Sequence, residues 1–200
     1  IDTAKAMKLF LSINSEGNFL KEKPNYINLK HIAIPTTAGT GSESTRYSVI
    51  YYNDEKQSLT NDMIYPDVVI LESKLIESLP LYQKKSTVFD ALCQGIESIW
   101  SIKATRESKK YASEAIKFIL NNIDAYLSEN KDVIPTIQKA ANLSGKAINI
   151  SETTAAHAMS YKITSMYGIS HGHAVALCLP YVWEELLNCK KRKVCRDLEL

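Results

Sequence analysis

This 200-residue chain lacks any apolar run approaching the roughly 18 residues that a bilayer-spanning helix needs, so no membrane partner is expected. Its opening residues, Ile1-Asp2-Thr3-Ala4-Lys5, lack the basic, apolar and small-residue order of a signal peptide. Cysteine is scarce. Cys93, Cys178, Cys189 and Cys195 form no CxxC pair and are too sparse for a disulfide framework, which predicts reduced thiols in a cytoplasmic protein. An excess of one charge is also missing, with 24 Lys and Arg against 22 Asp and Glu. Acids and bases alternate along the chain without a basic, aromatic-interleaved stripe, so nucleic acid is not an expected partner. The one basic cluster, Lys190-Lys191-Arg192-Lys193, resembles an import or nucleic-acid patch but reads better as the cationic end of a helix. There is no internal repeat and no low-complexity segment. Both ends break off within a pattern, which predicts a piece of a longer protein.

Two textures are present. Residues 1–78 combine a helix, Asp2 to Leu11, with short runs bounded by turn residues: His31 to Ile34, Tyr47 to Tyr52 and Val68 to Leu71. Such runs read as strands. Residues 79–200 read as helical: Thr87 to Ile102; Ser108 to Leu127, capped by Thr105 or Ser108; Pro135 to Ile150; Thr153 to Tyr167, stopped by Gly168; and His171 to Leu187, kinked or divided by Pro180. The expected class is an α/β end of a dinucleotide-binding domain followed by an all-α domain. A cleft between two such domains is a favoured place for cofactor and substrate.

Two features carry chemistry. The loop Ile34-Pro35-Thr36-Thr37-Ala38-Gly39-Thr40-Gly41-Ser42-Glu43 follows a strand and is packed with small residues. Glycines permit close backbone approach to a ligand, and hydroxyls bind phosphate, ribose or amide edges. The loop is neither a Walker loop nor a GxGxxG turn, so by composition it reads as a cofactor-lining segment or as a plain loop. Further on, Asp90 and Gln94 share one helix face among Val88, Leu92, Ile96 and Ile99. His157 lies in an apolar helix, and His171 and His173 open the next. Polar groups buried singly are costly, whereas a shared Zn²⁺ or Fe²⁺ satisfies a carboxylate and two imidazoles together. The alternative is a set of ordinary hydrogen-bonded core residues.

With these residues in view, the chain resembles the iron-containing (group III) alcohol dehydrogenases, which share the dehydroquinate synthase-like fold. Pro35 to Glu43 resembles the family's PTTxGTGSE loop, and Asp90-Ala91-Leu92 with Ile96-Glu97 resembles its DALxHAIE helix. Pro66 to Glu72 resembles the strand leading out of its nucleotide domain, and the 14-residue separation of His157 and His171 is that of the family.

The resemblance implies a NAD(P)-binding domain and a helical domain holding one divalent metal, Fe²⁺ or Zn²⁺. The implied ligands are Asp90, His157 and His171, with Gln94 where many members have a fourth, histidine ligand. Thr36, Thr37, Gly39, Thr40 and Ser42 are implied to line NAD or NADP, with Lys56 near its ribose. Tyr161 stands where many members carry a catalytic histidine; a phenol, with a reference pKa of about 10, is a weaker proton relay at pH 7 than imidazole. Asp90 to Trp100 together with Ser170 to Val175 most resemble the phosphonoacetaldehyde reductase branch, which forms 2-hydroxyethylphosphonate. The implied activity is interconversion of a small aldehyde and its primary alcohol, with room for a homodimer. Arg46, with Lys162 behind it, is the expected phosphonate anchor. A dehydrogenase for another short-chain alcohol, or a relative that keeps the fold without catalysis, stays open.

Overall fold

The computed structural model describes residues 1–13, 24–25, 27–52 and 55–188, the side chains of residues 51, 52, 55 and 56 excepted. The basic cluster at residues 190–193 and the cysteines at 189 and 195 lie outside the described residues. Two compact units are present: Ile1–Pro35 with Ser42–Leu71, and Thr36–Gly41 with the chain from Glu72 onward.

The first unit contains α1 (Asp2–Leu11), a parallel pair β1 (Ile32–Ala33) and β4 (Val68–Val69), and an antiparallel hairpin of β2 (Tyr47–Tyr52) and β3 (Glu55–Thr60). Strand β3 was not expected. Glu55 to Thr60 has a single apolar residue, Leu59, so no alternation announces a strand; its order comes from a full ladder to β2 together with burial of Leu59. The core here is small: Ala6, Leu9, Leu59 and Ile64. Polar anchors supplement it. Asp2 accepts hydrogen bonds from the Ser42 hydroxyl at 2.5 Å and from the Val49 backbone N–H at 2.9 Å.

The second unit is helical: α2 (Lys74–Glu77), α3 (Leu81–Trp100), α4 (Arg106–Leu127), α5 (Ile134–Ser151), α6 (Ala155–Tyr167) and α7 (His171–Asn188). Thr105 caps α4 in a reciprocal box with Ser108, and Gly168 closes α6 in the left-handed conformation, at φ 66°. Helix α7 runs through Pro180 undivided, so of the expected kink or division, division does not occur. Helix α3 begins at Leu81 rather than Thr87: the polar stretch Gln83 to Ser86 does not announce a helix, yet Lys84 and Ser86 are buried by tertiary packing.

Helix α3 lies at the centre of this unit. Val88 and Ala91 join a core with Ile119 and Tyr126 of α4 and Ile137, Ala140 and Ala141 of α5. Cys93 and Trp100 join another with Ala156 of α6 and Val175, Cys178 and Val182 of α7. Three of its other buried residues, Asp90, Gln94 and Glu97, are polar and belong to the candidate site.

Candidate metal centre and cofactor loop

Asp90, Gln94 and Glu97 fall at i, i+4 and i+7 of α3, one helix face, and all three are buried. Helices α6 and α7 bring histidines to that face. One ligand atom each from Asp90, His157 and His171 lies within 4.8 Å of the others. His157 Nε2 is 3.3 Å from Asp90 Oδ1, and His171 Nε2 is 3.9 Å from the same oxygen. Such separations suit donors sharing one small cation, each about 2.1 Å from it.

The donors are held from behind. Glu97, wholly buried, accepts hydrogen bonds from the Thr154 hydroxyl at 2.6 Å and the Ala156 backbone N–H at 2.9 Å, and it contacts His157 Nδ1. Burial pushes the Glu97 carboxyl up, but His157, Thr154 and Ala156 outweigh it and hold it below the usual carboxylate range. Burial also pulls the His157 imidazole down; hydrogen bonds and charges of Asp90 and Glu97 override this and raise it to about 9. His171 stacks against the Tyr161 ring, centroids 5.8 Å apart, and its Nδ1 lies 3.4 Å from the Ser160 hydroxyl.

Close approach of α7 to α3 depends on Gly172. A Cβ there would collide with the Ser86 carbonyl and stand 2.8 Å from Asp90 Cβ. Beside this crossing, the Ser170 hydroxyl is 2.7 Å from that of Ser86, and the Tyr82 hydroxyl is 3.2 Å from His173 Nδ1. Sequence reasoning did not single out this cluster; its members are common surface types whose proximity only the fold reveals.

Gln94 is where a fourth donor is expected. Its amide nitrogen donates to the Thr40 carbonyl at 3.3 Å, and its amide oxygen is buried without a hydrogen-bond partner. An orphaned acceptor beside three converging donors fits a cation site. The donor set of one carboxylate, two imidazoles and one amide oxygen suits a borderline divalent ion.

The loop Thr36–Gly41 packs with the helices. A Cβ on Gly39 would stand 2.7 Å from Thr87 Cβ, and one on Gly145 would stand 2.5 Å from the Gly41 carbonyl oxygen. Both loop glycines are therefore explained by packing on α3 and α5, while Thr36 and Thr40 are exposed. Ser42 falls in the other unit, bonded to Asp2 and to buried Lys5. Arg46 is ion-paired to exposed Asp62 at 3.1 Å, and Lys162 is exposed on α6. Lys56 belongs to β3, and its side chain lies outside the described residues.

Two family models match the chain in sequence order: iron-containing alcohol dehydrogenase over residues 1–73, and the C-terminal part of the Fe-containing alcohol dehydrogenase family over residues 84–198. The chain belongs to the iron-containing alcohol dehydrogenase family. This bears out the resemblance read from its motifs, and with it the expected α/β-then-helical fold. Phosphonoacetaldehyde reductase of Streptomyces viridochromogenes is 35% identical over 152 residues, covering 74% of this chain and 38% of that protein. The iron-containing alcohol dehydrogenase of Thermotoga maritima superposes with a TM-score of 0.88 at 32% identity, covering 98% of this chain and 55% of that one. Sulfoacetaldehyde reductase of Bifidobacterium kashiwanohense, solved with NAD⁺, superposes with a TM-score of 0.87 at 28% identity, covering 98% and 55%. This chain thus spans about half the length of its relatives or less. Among the described residues, no helix is long and apolar enough to cross a membrane.

Proposed function

We propose that the protein is a metal-dependent NAD(P)H oxidoreductase interconverting a small aldehyde and its primary alcohol. The observation that carries this reading is the convergence of Asp90, His157 and His171 on one point at the buried face of α3. In it, these three side chains hold one divalent ion, Fe²⁺ or Zn²⁺, and Gln94 adds its amide oxygen. Bound, the ion supplies Lewis acidity toward the substrate oxygen, and NAD or NADP carries the hydride. Thr36, Thr37, Gly39, Thr40 and Ser42 line the cofactor, with Lys56 at its ribose. Tyr161, stacked on His171, is the side chain assigned to proton transfer. Residues 1–78 are assigned to the NAD(P)-binding domain and residues 79–200 to the metal-binding catalytic domain.

The proposed substrate is phosphonoacetaldehyde. Support comes from the Streptomyces relative and from the Arg46 guanidinium. Its ion pair with Asp62 has an 88% exposed carboxylate side, and exposed pairs contribute only about 0–1 kcal/mol, so a phosphonate dianion displaces that carboxylate readily.

Metal content and NAD(P)H oxidation of the full-length protein test the reading. About one bound divalent ion is expected per chain, lost in His157→Ala or His171→Ala, with oxidation faster on phosphonoacetaldehyde than on acetaldehyde. Arg46→Ala is expected to raise KM for phosphonoacetaldehyde at least ~10-fold and to leave that for acetaldehyde unchanged. Equal turnover of the two aldehydes removes the substrate assignment. An absent ion with no turnover favours a relative that kept the fold and lost the chemistry.

A further inference from the structure

Glu97 is a wholly buried carboxylate seven residues beyond Asp90. The Trp100 indole N–H can only donate, and its acceptor is the Thr154 hydroxyl oxygen at 2.8 Å. The Thr154 hydroxyl proton is therefore turned toward Glu97 Oε1, 2.6 Å away. The Ala156 N–H, which also can only donate, reaches the same oxygen at 2.9 Å. Two obligatory donors on Oε1 favour the ionised carboxylate, and Oε2 is left to accept from His157 Nδ1.

The turn carrying Thr154 and Ala156 is itself clamped to α3. The Ser101 hydroxyl donates to the Ser151 carbonyl at 2.5 Å, and the Ser98 and Ser151 hydroxyls meet at 2.7 Å. A proton on Nδ1 leaves the Nε2 lone pair of the neutral imidazole pointing to the side where Asp90 lies.

We infer that Glu97 is a positioning residue for the metal site: it fixes His157 in the Nδ1–H tautomer and presents Nε2 to the ion. This rests on the metal-site reading above. A carboxylate behind a ligating imidazole orients the ring and raises its basicity, and losing such a partner typically lowers metal affinity about 10–100-fold.

Glu97→Gln separates this role from that of a mere turn anchor. Thr154 and Ala156 both require an acceptor, so the glutamine carbonyl takes the Oε1 place and its NH₂ faces His157 Nδ1. That arrangement demands an unprotonated Nδ1 and moves the proton to Nε2, where it blocks the ion, while the turn keeps both its hydrogen bonds.

The test is Zn²⁺ affinity of the full chain by competition with a chromogenic chelator, beside the thermal midpoint of the metal-free protein. The expected result is affinity about 10–100-fold weaker in Glu97→Gln, with a metal-free protein that still unfolds cooperatively, at a lower midpoint because the buried His157 loses a charged partner. Wild-type affinity in the variant overturns the inference and leaves Glu97 as a turn anchor. A wild type that binds no Zn²⁺ removes the metal-site reading itself, and this inference with it. Should the variant fail to fold, ¹⁵N NMR of the Zn²⁺-loaded wild type decides. A protonated Nδ1 with a metal-bound Nε2 in His157 supports the assignment, and metal on Nδ1 overturns it.

Discussion

Lys5 shows how one residue can hold a segment together at an electrostatic cost. It has no exposed surface, and its ammonium reaches the carbonyls of Ser42, Thr45 and Tyr47 at 2.6, 2.7 and 2.8 Å. Burial lowers its pKa to about 8, partly opposed by the charges of Asp2 and Glu43. The sign of the pH dependence follows. The folded chain releases this proton near pH 8, whereas the unfolded chain holds it to about 10.4, so between those values the unfolded state binds more protons. Stability attributable to Lys5 therefore rises with pH across that window, by up to about 3 kcal/mol. Urea unfolding at pH 7, 8.5 and 10 checks this against Lys5→Met: the wild type should gain on the variant as pH rises. A constant gap would place the Lys5 pKa at its ordinary value.

At the scale of elements, the loop Thr36–Gly41 is seated on α5 by two glycines in contact. Gly145→Ala puts a Cβ 2.5 Å from the Gly41 carbonyl oxygen and 2.8 Å from its Cα, both backbone atoms that yield only if the loop moves. Overpacking of this kind costs about 1–3 kcal/mol. The expected variant is destabilised by that amount in urea and has a raised KM for NAD(P)H, with metal content unchanged; a KM at the wild-type value would separate the loop from the cofactor. Gly145 is one small residue among several in α5, and nothing in its neighbourhood marks it as a contact for Gly41. Asp90, His157 and His171 were legible because polar groups on apolar helix faces are costly unless they share a partner. Glu97 stood in a quoted motif, but its role depends on Thr154, Ala156 and His157, some sixty residues away, and periodicity carries no such information. The helices were largely legible from spacing and stop signals. Strand β3 was not, because its order comes from cross-strand pairing.

For the molecule as a whole, the three proposed ligands come from α3, α6 and α7, so an ion at that point would tie together three helices of one unit. An ion that binds only the folded state stabilises it by mass action, by about 2.7 kcal/mol when free ion stands at 100 times Kd. Near 200 residues, 1 kcal/mol moves Tm by about 2–4 °C, so removing the ion should lower Tm by about 5–11 °C. Both tryptophans, Trp100 and Trp183, pack edge to face in this helical unit, so intrinsic fluorescence follows its unfolding. Chelator titration of the full chain should lower the fluorescence-detected midpoint, and added Zn²⁺ should restore it. His171→Ala discriminates among causes: His171 is only partly buried, so its loss removes a ligand with little loss of core packing. The variant should melt near the metal-free wild type and ignore both chelator and Zn²⁺. A wild type that also ignores both would mean that apolar packing, with the hydrogen bonds of His157 to Asp90 and Glu97 between α3 and α6, suffices to hold the three helices, and that no ion contributes to the stability of the fold.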